Sequence, residues 1–219
     1  MNAESTLKEI LTYRSTPTIL ARAPFGHFKF KIDVGYQKRG GVPLEWLKCV
    51  CFSETPLREL KSFYSATQDP RNAAIKFNRY QKYGLGFATE LVRSKNGHPV
   101  FYFDSRRKDL VKTLDAFLIT GSQATWKPIL PLFEQYGPKL HKVSDQSEID
   151  FRWEREWRSV GDFRFTFEEV AFGLCPEEKI PMFQKLAGNK FPFIDPDWDQ
   201  EKLEKYLFSS GWSVLADAL

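Results

Sequence analysis

The sequence predicts an α+β fold, built of small mixed sheets with interspersed helices. Three observations carry this reading. Aromatic residues make up 16% of the chain, with 20 Phe against 2 Met, a composition that favours strands over a helical bundle. Short alternating or compact apolar stretches are bounded by Gly, Pro and Asn, as strands are. Helical-period segments fall between them without the regular strand–helix alternation of a parallel βαβ series. At 219 residues the chain can bury a substantial core in one domain. We assign that domain to residues 1–175, with residues 176–219 as a C-terminal extension packed on it.

Taken in order, Thr6-Leu7-Lys8-Glu9 fits a capping box, and Leu7, Ile10 and Leu11 continue a short helix to about Arg14. His27 to Asp33 alternates as a strand does, and Tyr36 to Pro43 carries the Gly and Pro of a loop. Leu47 to Phe52 reads as a largely buried strand, and Pro56 suits the first turn of the helix that follows, with Leu57 and Leu60 on its apolar edge. The polar, basic stretch from Ser65 to Lys82 has no clean period and reads as a loop. Tyr83 to Ala88 is a strand whose glycines point to close approach of another backbone or a ligand. A short helix at Thr89 to Arg93, a turn at Lys95-Asn96-Gly97 and a strand at Pro99 to Asp104 come next. Arg106 to Ile119 is amphipathic, and Ile129 to Tyr136 reads as a second helical region. Strands at Asp162 to Phe167 and Val170 to Cys175, a helix opened by Pro176, a strand or turn at Phe191 to Asp195, and a helix from Asp199 to Phe208 complete the chain.

Net charge is +4, unevenly spread. Residues 54–112 hold 12 Lys and Arg against 6 Asp and Glu, while residues 145–204 hold 8 against 15. A basic middle can steer a polyanion, and it can equally complement the acidic part of the same chain. No apolar run approaches the ~20 residues that cross a bilayer, and the opening M-N-A-E-S-T-L-K-E has no export-signal pattern. Cys49, Cys51 and Cys175 are odd in number and lack C-x-x-C spacing. These features suit a reducing cytoplasm, with no structural disulfide or zinc site and no membrane partner. His27, His98 and His141 are scattered, His98 in a turn, so no metal site is expected. Phosphate-loop, dinucleotide-fold and nucleophile-elbow motifs are missing from the sequence.

The densest group of costly side chains is F-R-W-E-R-E-W-R-S-V, Phe151 to Val160. If extended, it sets Trp153, Arg155 and Trp157 on one face and Glu154, Glu156 and Arg158 on the other. One reading is an edge strand with ion-paired carboxylates. The other is a catalytic Glu-x-Glu strand.

Three stretches in order bear on that choice: C-V-C-F-S-E-T-P-L from Cys49, K-Y-G-L-G-F followed by H-P-V-F-Y-F-D, and W-E-R-E-W-R. Together they resemble AbiGi-type abortive-infection proteins and the broader DarT-like group of ADP-ribosyltransferase folds, over roughly residues 44–165. The resemblance implies an ADP-ribosyltransferase-like domain that consumes NAD as substrate in bacterial anti-phage defence or a toxin–antitoxin system. The implied acceptor is DNA, RNA or a protein, and the implied partners are nucleic acid and a cognate antitoxin or defence-system protein. Glu156 matches the strand glutamate that stabilises the oxocarbenium-like transition state, and Glu154 would orient or activate the acceptor. Ser53 and Thr55 match hydroxyls that brace the glutamate or touch ribose, although Ser53 can equally cap the following helix. Phe52 and Tyr83 can stack on nicotinamide or belong to the core. Relatives begin with a strand that grips NAD. That strand is missing ahead of Leu7, and the loop containing Lys38 and Arg39 can stand in for it by holding pyrophosphate. Arg71, Lys76, Arg79 and Lys82 are the candidate nucleic-acid contacts. Two alternatives stay open: a catalytically inactive binding or regulatory module of the same fold, and an NAD glycohydrolase that uses water.

Overall fold

The computed structural model describes residues 2–12, 16–23, 44–68, 81–120, 128–138 and 148–212. The expected strand at His27 to Asp33 and the loop after it lie outside them. Among the described residues there are six α-helices: α1 (Ala3–Thr12), α2 (Leu60–Gln68), α3 (Thr89–Ser94), α4 (Lys108–Thr120), α5 (Ile180–Leu186) and α6 (Gln200–Ser209). The strands are β1 (Thr18–Ile19), β2 (Cys49–Ser53), β3 (Gly84–Gly86), β4 (Gly97–Pro99), β5 (Phe101–Asp104), β6 (Phe133–Pro138), β7 (Glu148–Ile149), β8 (Glu156–Val160), β9 (Phe163–Arg164), β10 (Phe172–Leu174) and β11 (Phe193–Ile194). The fold is α+β, with sheets of two or three strands. No helix among the described residues is long and apolar enough to cross a membrane.

Most predicted elements stand within about two residues of their expected bounds. Besides the Phe151 to Val160 segment, five differ. The strand expected at Asp162 to Phe167 covers only Phe163–Arg164, and Phe167 opens a 3-10 turn. Asn2 caps α1: its Oδ1 accepts the Ser5 N–H at 2.8 Å, so the helix starts a turn before the Thr6 box. Helix α2 runs on to Gln68, past Ser65 where a loop was expected. Pro99 to Asp104 is two strands: the β4 ladder with β8 ends in register at the Val100 N–H, which donates to Glu156 O at 2.9 Å, and the chain from Phe101 pairs with β6 instead. Ile129 to Tyr136 is not a helix. Leu130–Leu132 forms one 3-10 turn, and the chain then extends as β6, parallel to β5.

The chain forms two compact units. One comprises Met1–Ile19, Thr55–Leu91 and Arg164–Leu219. Its sheet runs β11–β10–β3, parallel between β10 and β11 and antiparallel between β10 and β3. Leu57, Ile194, Leu203 and Leu207 are buried together, the last two projecting from α6 one turn apart. Asp199 caps that helix by accepting the Lys202 N–H at 2.8 Å. Beside this group Phe183 and Phe193 stack at 5.5 Å, and Phe191 lies 5.3 Å from Phe193.

Glycine is required where these rings cross the sheet. Gly86 stands opposite Phe172 in the register, and a Cβ on Gly86 would fall 2.3 Å from that ring. A Cβ on Gly173 would fall 2.2 Å from Phe193 Cε1, and Phe193 is fully buried. Gly173→Ala is therefore expected to cost about 1–3 kcal/mol by overpacking. Urea unfolding should show a lower midpoint with unchanged slope. Wild-type stability in this variant would mean that Phe193 can move aside.

The second unit comprises Leu20–Glu54 and Val92–Phe163. It holds an antiparallel sheet ordered β2–β8–β4 and a second sheet, β5–β6–β7, parallel between β5 and β6. Leu47, Phe103, Val111 and Leu130 form its apolar core, with Trp46, Leu114 and Phe133 packed against them.

Candidate functional site

Strand β8 is the middle strand of its sheet, so its side chains have neighbours on both sides. The register with β2 pairs Ser53 with Glu156, Phe52 with Trp157 and Cys51 with Arg158. The register with β4 pairs His98 with Arg158 and Pro99 with Trp157. Directly opposed residues share a face with Cβ atoms about 4.5–5.5 Å apart. One face therefore carries Ser53, Cys51, Glu156, Arg158 and His98. The other carries Phe52, Trp157 and Pro99. His98 is an exposed strand residue rather than part of the preceding turn.

On the first face, Arg158 is the hub. Its Nε and Nη2 donate to the two Glu156 carboxylate oxygens, both at 2.9 Å. Nη2 also donates to Glu134 Oε2 at 3.0 Å, and Nη1 to Pro131 O at 2.6 Å. Exposure is 2% for Arg158, 4% for Glu134 and 9% for Glu156, so the network is largely buried. Such charge-assisted bonds fix both partners' geometry. Burial works against the Arg158 charge, yet Glu156 and Glu134 outweigh it and hold its proton well above the ordinary range. Burial pushes the Glu134 carboxyl up, and Arg158 offsets only part of that rise. Tyr102 donates to Phe151 O at 3.1 Å, and burial, reinforced by Glu156 and Glu154, pushes its phenol up.

The raised Glu134 pKa has a definite sign. A carboxyl that keeps its proton longer in the folded state contributes stability that is fully present below its unfolded value of about 4.3. That contribution is lost as pH rises through the folded value. Glu134→Gln, which keeps an acceptor for Arg158 without the titration, is expected to gain stability relative to the wild type from acid to neutral pH. Urea unfolding across that range measures it. A constant difference between the two proteins would contradict the raised value.

The Glu-x-Glu geometry expected from alternation is not what forms. Arg152–Glu154 is a 3-10 turn, Arg155 adopts a left-handed conformation (φ 45°, ψ 50°), and the strand begins only at Glu156. Glu154 is buried, but it does not share a strand face with Glu156. A non-glycine residue in that region is strained by about 1–2 kcal/mol. The turn is held where the Arg155 N–H donates to Arg152 O at 3.2 Å and Arg155 O accepts from Glu54 N, also at 3.2 Å. Glu54 does more: its Oε2 accepts the Trp157 indole N–H at 2.9 Å on the opposite face, where Arg93 lies over the Trp157 ring at 5.6 Å.

Of the remaining candidates, Ser53 is the one brought directly to Glu156. Phe52 lies on the other face, edge-on to Phe163 at 4.9 Å. Thr55 follows β2 and belongs with the first unit. Tyr83 also belongs to that unit, where its hydroxyl donates to Glu4 at 3.1 Å and its ring tilts against Phe183. Lys82 pairs with Asp197 and lies over the Tyr64 ring. Arg39, Arg71, Lys76 and Arg79 lie outside the described residues. Sequence reasoning passed over Glu134 and Tyr102. Glu134 lay in the stretch read as helical, and neither residue carries a local signal of its long-range contacts.

Comparison with protein-family models, with curated proteins and with solved structures returns no match.

Proposed function

We propose that the chain is an ADP-ribosyltransferase-like protein that splits the nicotinamide–ribose bond of NAD, with Glu156 as its catalytic carboxylate. The supporting observation is the cross-strand pairing of Ser53 with Glu156 at the end of the antiparallel pairing of β2 with β8. In oxocarbenium chemistry, a carboxylate held at a fixed distance from the ribose stabilises positive charge as the glycosidic bond breaks. The two bonds from Arg158 supply that fixity. Ser53 is the hydroxyl placed to brace Glu156 or to meet the ribose. The acceptor is DNA, RNA or a protein, in a bacterial anti-phage or toxin–antitoxin setting. Glu154, within its buried turn, does not stand beside Glu156 on β8, and we give it no acceptor role.

A second reading is favoured by the same clamp. A carboxylate that is 9% exposed and spends both oxygens on a buried arginine is also what a purely structural ion pair looks like. On that reading the protein is an inactive binding or regulatory module. Incubation with adenine-labelled NAD and DNA, RNA or lysate separates the readings. Transfer of label supports the transferase, and free ADP-ribose without transfer points to a glycohydrolase. If nicotinamide is not released under any of these conditions, the catalytic reading fails.

A further inference from the structure

Among the described residues, three that are not glycine have a positive φ: Asn96, Asn189 and Arg155. Asparagine tolerates that conformation, and arginine, here at φ 45°, does not. Nothing in the local pattern asks for it, since Trp153 to Arg158 alternates as a strand does. Strain of this kind, set against local preference, collects at positions that carry function.

The ladder beside Arg155 shows what the strain holds back. Opposed residues of an antiparallel pair alternate between exchanging two hydrogen bonds and exchanging none. The Gly161 N–H donates to Lys48 O at 3.0 Å, whereas Cys49 turns its N–H and O away from β8, to Arg22. The bonded pairs are therefore Val50–Ser159 and Phe52–Trp157, and the register brings Glu54–Arg155 next, just past the strand ends. That pair is half made. The Glu54 N–H donates to Arg155 O at 3.2 Å, but the Arg155 N–H, instead of returning the bond to Glu54 O, donates to Arg152 O at 3.2 Å. The left-handed φ turns it aside.

We propose that Arg155 is a two-state backbone switch. The turn state is the one described. In the strand state φ at Arg155 returns to the extended region, its N–H moves from Arg152 O to Glu54 O, and β8 grows by one bonded pair. The move releases the strain and gives up the bond from the Glu154 N–H to Phe151 O at 3.0 Å, two contributions of similar size and opposite sign. States so balanced leave the minor one populated on the order of 0.1–10%. Alternation then puts Glu154 on the face of Ser53 and Glu156, about 6.6–6.8 Å from Glu156 along the backbone. One backbone angle sets whether that face offers one carboxylate or two. The switch does not depend on NAD chemistry, and any effect on turnover rests on Glu156 being the catalytic carboxylate.

The test compares the full-length wild type with Arg155→Gly, Arg155→Asn and Arg155→Val by nuclear magnetic resonance of the backbone amides. The Arg155 side chain is exposed, so none of these changes empties the core. Glycine and asparagine accept the left-handed conformation and should hold the turn, and valine, driven to the extended region, should hold the strand. Microsecond-to-millisecond exchange is expected at the amides of residues 54 and 155 in the wild type, with the minor state falling about tenfold in Arg155→Gly. The residue 54 amide shift should move one way in the glycine and asparagine variants and the other way in valine. All three lack the guanidinium, so an effect of the side chain alone would move them together. Relaxation dispersion reads the wild type by itself and keeps the test intact if the valine variant does not fold. Absence of exchange at both wild-type amides, or shifts in the same direction in all three variants, overturns the switch.

Discussion

Replacing Arg158 with methionine is expected to cost about 3–5 kcal/mol, the penalty for leaving buried charge without its partner. The guanidinium serves Glu156, Glu134 and Pro131 O at once, and all three lose their donor in a largely buried site. Part of the loss should return in Arg158→Met/Glu156→Gln, where one stranded carboxylate is neutral. Urea unfolding of the two variants measures both statements. If the single variant loses less than about 1 kcal/mol, the network is an exposed ion pair in effect, worth what surface pairs are worth.

Glu156→Gln is expected to behave differently. Arg158 keeps Glu134 and Pro131 O, and the amide oxygen still accepts one hydrogen bond, so the fold should persist. What disappears is the negative charge at the place where positive charge develops. Loss of one preorganised electrostatic group typically lowers turnover by about 10²–10³-fold. The pairing of a small stability change with a large activity change separates catalysis from structure. Arg158→Met gives the complementary pattern, since it loosens the carboxylate while leaving its charge in place.

Much of this was legible locally. The compact apolar run at Cys49 to Phe52, of which Cys49 and Val50 are buried while Cys51 is exposed, the glycine at Gly86, the Asn96 turn and the Asp199 cap each carry their own cause: partial burial, close ring approach, a positive φ, a side-chain acceptor. The alternation that puts Glu156 and Arg158 on one face was legible too. The rest needed contacts distant in sequence. A short apolar run such as Ile129 to Tyr136 fits helix or strand equally well, and parallel pairing with β5 decided it. The left-handed Arg155 has no sequence signature, because that conformation belongs mainly to Gly and Asn. Its turn is held by Glu54, about a hundred positions away in the chain, and it alone separates Glu154 from Glu156. Glu134 joined the site only because β6 runs as a strand beside β5.

Nicotinamide release from NAD, measured side by side for the wild type and Glu156→Gln at equal folded concentration, goes to the centre of the account. The expected result is release by the wild type and a fall of about 10²-fold or more in the variant. Equal release by the two proteins, or none from the wild type with every acceptor offered, would contradict it and leave Glu156 as a structural partner of Arg158.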